Sequence, residues 1–108
     1  MRKHLESIDI ENDSFEIYDL ITKIVTSFNK AVDIHNEQHP EDPIFYKLQK
    51  NTIHVNASRT MVNIYFCDLS FIELPQKPYL FTNLFKKVLL DDYDINVITV
   101  HTRFIYED

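Results

Sequence analysis

From Ser14 to Glu37, apolar side chains recur at spacings of three and four. Phe15, Ile17, Tyr18, Leu20, Ile21, Ile24, Val25, Phe28, Ala31, Val32 and His35 fall on one side, leaving Glu16, Asp19, Lys23, Thr26, Lys30 and Asp33 on the other. That period predicts a long amphipathic helix. Asp13 followed three residues on by Glu16 is a capping-box pattern for its start, and Pro40 and Pro43, with Glu41 and Asp42 between, end it.

Beyond Pro43 the period drops to two. Ile53 and Val55 alternate with Thr52, His54 and Asn56, and Val62, Ile64 and Phe66 alternate with Met61, Asn63, Tyr65 and Cys67. Three antiparallel strands are expected, at about 44 to 49, 51 to 57 and 60 to 68. The breaks at Gln49-Lys50-Asn51 and Asn56-Ala57-Ser58-Arg59 read as hairpin turns in which asparagine takes the left-handed position usual for glycine. Leu69 to Lys77, with an extended start at Phe71-Ile72-Glu73-Leu74, reads as a connecting loop.

A second helix is expected over 79 to 91, with Pro78 at its first turn. Leu80, Phe81, Leu84, Phe85, Val88 and Leu89 form its apolar face, and Thr82, Asn83, Lys86 and Lys87 the opposite one. The last segment, Ile95 to Tyr106, is rich in β-branched and aromatic residues and reads as a long strand. Its alternation sets Ile98, Val100, Phe104 and Tyr106 apart from Val97, Thr99, His101 and Arg103. A short leading strand around Leu5 to Ile10 is a further candidate. The pattern predicts a single α+β domain over 1–108 in the order α-β-β-β-α-β. It would be a two-layer sandwich in which both helices cover one face of an antiparallel sheet of about four strands.

Composition narrows the function classes. The 108 residues include no glycine, where average usage predicts about eight. Phosphate-cradling loops, dinucleotide fingerprints and nucleophile elbows depend on glycine, so nucleotide-binding enzymes built on them are excluded, and no cofactor is expected. A single cysteine, Cys67, cannot form an intramolecular disulfide or a Cys-rich zinc site. With no long apolar run and no apolar leader after Met1, the expected location is cytoplasmic, away from membranes.

The net charge is −6, and acidity concentrates in residues 1–40, which carry 8 acidic and 4 basic groups. Scattered Lys and Arg do not suit phosphate neutralisation, so nucleic acid is not the expected partner. The helix, three-strand, helix order resembles that of double-stranded RNA-binding domains. The second helix here opens Pro78-Tyr79-Leu80-Phe81-Thr82, however, without the basic cluster that clamps RNA. A similar order occurs in secretion-chaperone-like and immunity-protein domains, and order alone does not give activity.

Candidate chemistry lies on the uncovered sheet face. The strands' non-core positions would gather Thr52, His54, Asn56, Asn63, Tyr65, Cys67, Val97, Thr99, His101, Arg103 and Ile105. Of these, His54, Tyr65, Cys67, His101 and Arg103 are the partner-binding candidates, because Tyr and Arg anchor interfaces and His adds hydrogen bonds without fixed charge. Cys67 has no neighbouring base or helix N-terminus to activate it. His35 and His39, four apart, could face one metal ion, but a histidine near a helix C-terminus is favourable on its own account, and no metal is expected. Asp91, Asp92 and Asp94 read as a helix-ending turn.

The expected function is therefore a small acidic, non-catalytic protein-binding module of inhibitor, immunity or adaptor and chaperone type. It would dock another protein through the open face, and the acidic balance favours a basic one. Two alternatives stay open. One is a His-dependent hydrolase or nuclease using His54 and His101, which requires imidazoles within about 7 Å. The other is a homodimer formed through the sheet or its edge.

Overall fold

Alternation of Leu5, Ile8 and Ile10 with Ser7 and Asp9 makes the chain's first element a full strand, β1 (Arg2–Glu11). The computed structural model describes residues 2–67 and 78–105. After β1 come α1 (Ile17–Gln38), a 3-10 turn (Lys50–Thr52), β2 (Ile53–Ala57), β3 (Met61–Phe66), α2 (Pro78–Tyr93) and β4 (Val97–Ile105). The fold is α+β, a four-stranded antiparallel sheet flanked by two helices, with strand order β2-β3-β1-β4.

The fourth strand comes from an unexpected place. Residues 44 to 49 do not join the sheet, and β1 takes the central position beside β3, so the element order is β-α-β-β-α-β. Residues 44 to 48 instead lie along α1, held by two side chains. Asn36 Oδ1 accepts from the Ile44 N–H at 2.7 Å while Nδ2 donates to its carbonyl at 2.8 Å. Asn29 does the same for Leu48, at 2.7 and 3.1 Å. Ile44 and Leu48 are buried, so the period-two pattern marked an extended segment whose hydrogen-bond partners are helix side chains. Residues 50 to 52, expected within a strand, form the 3-10 turn. Its Thr52 N–H and hydroxyl both donate to the Gln49 carbonyl.

Two bulges re-phase the sheet. In the β1–β4 ladder Leu5 faces Thr102 and Ser7 faces His101, leaving Glu6 extra; Asp9 faces Thr99 and Ile10 faces Val97, leaving Ile98 extra. Leu5 and Ile8 therefore share the core face although three residues apart. On β4 the expected phase is reversed at its start: Val97 is buried and Ile98 is 46% exposed. Val97 thus belongs to the core and not to the open face.

α1 begins later than expected. Ser14 takes a left-handed backbone (φ 55°), its N–H bonded to Asn12 Oδ1, so the capping residue is Glu16 and not Asp13. The Glu16 carboxylate accepts from the Tyr18 and Asp19 N–H groups. α2 starts at Pro78 as the fixed φ of proline favours, and Asp94 (φ 55°) ends it with its N–H on the Leu90 carbonyl. Among the described residues Ser14 and Asp94 are the left-handed positions, and the expected left-handed asparagines are not. The β2–β3 turn is instead closed by Ser58, whose N–H and hydroxyl reach the Met61 carbonyl and whose oxygen accepts from the Met61 N–H.

The core fills the space between sheet and helices. Phe28 of α1 sits at its centre, 5.1 and 5.4 Å from the Phe81 and Phe85 rings of α2 in edge-on contact and 6.3 Å from Phe66 of β3. Leu5, Ile8, Ile10, Val62, Ile64 and Phe66 supply the sheet side. No described helix is long and apolar enough to cross a membrane. The loop expected at 69 to 77, the strand end at Asp68 and Tyr106 lie outside the described residues.

Candidate functional site

The ladder registers set the open face in rows. Residues opposite each other in antiparallel strands point to the same side, so His54 of β2, Tyr65 of β3, Ser7 of β1 and His101 of β4 form one row across the sheet. Asn56, Asn63, Asp9 and Thr99 form the next. At the other side of the first row His4 faces Arg103. Cys67 follows β3 and is an exposed free thiol, its N–H bonded to the Thr52 carbonyl.

The five expected site residues thus separate into a row and its flank. His54, Tyr65 and His101 share the row, and Arg103 stands two residues along β4 from His101. His54 and His101 do not meet. They occupy opposite edge strands, three strand spacings apart, which is roughly 14 Å between backbones at about 4.8 Å per spacing. One substrate phosphate cannot be shared across that width by ordinary hydrogen bonds.

What His101 does meet is Asp9. His101 Nε2 lies 2.6 Å from Asp9 Oδ2, and Asn63 Nδ2 donates to Asp9 Oδ1 at 2.9 Å. These bonds hold the Asp9 carboxyl below the usual carboxylate range, the Asn63 bond most and the His101 bond next, against the upward push of burial. An ionised carboxylate can only accept, so the Nε2 proton lies between the pair and Nδ1 is left as the ring's other polar atom. Asp9, half-buried, and Ser7, buried, lie at the centre of the face, and both come from β1, the leading strand that the sequence offers only as a candidate. Their alternation with Ile8 and Ile10 was the signal.

At the β2–β3 corner of the face, Asn56, Ala57, Ser58, Met61 and Asn63 line an open recess of about 230 Å³. Ligand clefts usually bury most of their ligand, and this recess is wide to solvent.

The two α1 histidines form a structural pair. His35 is buried, its Nε2 2.9 Å from the Asp42 carbonyl and its ring edge-on to Phe81. That bond ties the chain after α1 back onto the helix. The His39 ring lies 5.1 Å from that of His35 at a tilt of 37°, and its Nδ1 is 3.4 Å from Glu41. Among the described residues no group of three or more His, Cys, Asp or Glu is placed to hold a metal ion.

No protein-family model, curated protein or solved structure matches this chain.

Proposed function

We propose that this chain is a small acidic, non-catalytic binding module that docks a partner protein on the sheet face that carries His54, Tyr65 and His101, in the manner of an inhibitor, immunity or adaptor protein. The observation that supports this reading is the row His54, Tyr65, Ser7 and His101, which runs edge to edge across the sheet with His54 and His101 exposed, Tyr65 half-buried and Ser7 buried between them. Tyr65 and Arg103 supply the anchor types found at interface centres, and the Asp9 and Asn63 bonds fix His101 so that little side-chain freedom is lost on docking.

The test is capture from the native lysate followed by size-exclusion chromatography, with wild type beside Tyr65→Ala and Arg103→Glu. A partner held by wild type and lost from both variants, with helical and strand content preserved, supports the reading. A chain that stays alone, or a partner held equally by all three, overturns it. Elution at twice the chain's mass without a partner would favour the homodimer instead.

A further inference from the structure

Phe45 is 91% exposed, the most exposed of the large apolar side chains described, yet it sits between two residues that are bonded to α1 side chains. Its neighbour Ile44 is bonded through both backbone groups to Asn36, and Leu48, three residues on, is bonded likewise to Asn29. Ile44 and Leu48 turn inward, and the intervening alternation turns Phe45 outward. Nothing in the core requires an aromatic residue there. The fold presents a phenyl ring on a segment anchored at Ile44 and Leu48, an arrangement that reduces the ordering lost on binding.

Exposed charges of both signs stand near it in the chain. Glu41 precedes Phe45 in the chain, its carboxyl held below the usual range by its own backbone N–H and by His39. Glu37 follows the clamping Asn36 on α1, and both glutamates are exposed. Lys47 is the cation of the segment, and it is paired to Asp33, midway between the two clamping asparagines. We propose that the segment 44–48 is a second docking element, which inserts Phe45 into an apolar cup of a partner protein whose rim carries Lys or Arg facing Glu37 and Glu41. This inference stands on a different surface from the sheet face and does not rest on that reading.

The test places the photoreactive residue benzoylphenylalanine at position 45 of the full chain, and separately at position 54 on the sheet face, in cells that express it. The expected result is a position-45 adduct to one protein, at an apolar residue neighboured in that partner by Lys or Arg. With the purified partner, Phe45→Ala should weaken binding about tenfold or more, as loss of a buried phenyl side chain implies, and the neutralising double change Glu37→Gln with Glu41→Gln should remove its salt dependence. No single adduct, an adduct to a second copy of this chain, or binding indifferent to both sets of substitutions overturns the proposal. Adducts at 45 with none at 54 would uphold this element and count against the sheet face; the reverse pattern would do the opposite.

Discussion

The Asn36 carboxamide closes a two-point pair with the backbone of Ile44, accepting its N–H and donating to its carbonyl. Seven residues earlier on the same helix, Asn29 makes the equivalent pair with Leu48. A strand in all but its partner is thereby fastened to a helix. Removing one carboxamide strands a part-buried donor and acceptor. Asn29→Ala or Asn36→Ala should therefore cost about 1–3 kcal/mol each. Urea unfolding measures this, and amide exchange at Ile44 and Leu48 should accelerate in the matching variant. Unchanged exchange would show that the clamps do not hold the segment.

Two phenylalanines should give opposite results. Phe28 is 1% exposed and touches three core rings, so Phe28→Ala should cost about 3–5 kcal/mol. Phe45→Ala should change stability by no more than about 0.5 kcal/mol, as surface substitutions do. Thermal and urea melts of both variants check the pair.

Acid stability carries the signature of Asp9. Its folded carboxyl is shifted down, so the folded state binds fewer protons than the unfolded chain there. The contribution is complete above the ordinary carboxylate value and is lost as pH falls through the lower folded value. Wild type should therefore lose more stability than Asp9→Asn on going from neutral pH to below the carboxylate range. Urea midpoints across that range measure the difference, and parallel curves would contradict it.

His35 and His39 should differ sharply. His35→Ala opens a cavity beside Phe81 and releases the Asp42 carbonyl, and should cost about 2–4 kcal/mol; His39→Ala should cost no more than about 1. Zinc should leave the wild-type melting midpoint where it is, since among the described residues no third ligand is placed with the pair.

Much of the fold could be read in the chain because its periods are clean where one face is buried. α1, α2, β2 and β3 followed directly from Ile24, Phe28, Phe81, Phe85, Ile53, Ile64 and their repeats. The misreadings have two physical sources. A single extra residue, Glu6 on β1 and Ile98 on β4, breaks period two. This weakened the signal for β1 and inverted the start of β4. Periodicity also reports that a segment is extended without saying what pairs with it, so residues 44 to 49 read as a strand although Asn29 and Asn36 satisfy them. The site shows the same limit. His54, Tyr65, His101 and Arg103 were placed on the open face by alternation alone, but the Asp9–His101 bond joins residues 92 apart in sequence and needed the strand order. The absence of glycine proved informative locally: Ser14 and Asp94 take the left-handed positions it would usually fill.

The most direct test of the binding account is side-chain footprinting by hydroxyl radicals with and without the captured partner. Tyr65, Cys67, His54 and His101 report the sheet face, while Tyr18 and Tyr79, 80% and 57% exposed in the first turns of α1 and α2, report the helix layer. The account predicts that the partner suppresses oxidation of the sheet-face set and leaves Tyr18 and Tyr79 unchanged. Protection of Tyr18 and Tyr79 with the sheet-face set still reactive would contradict it.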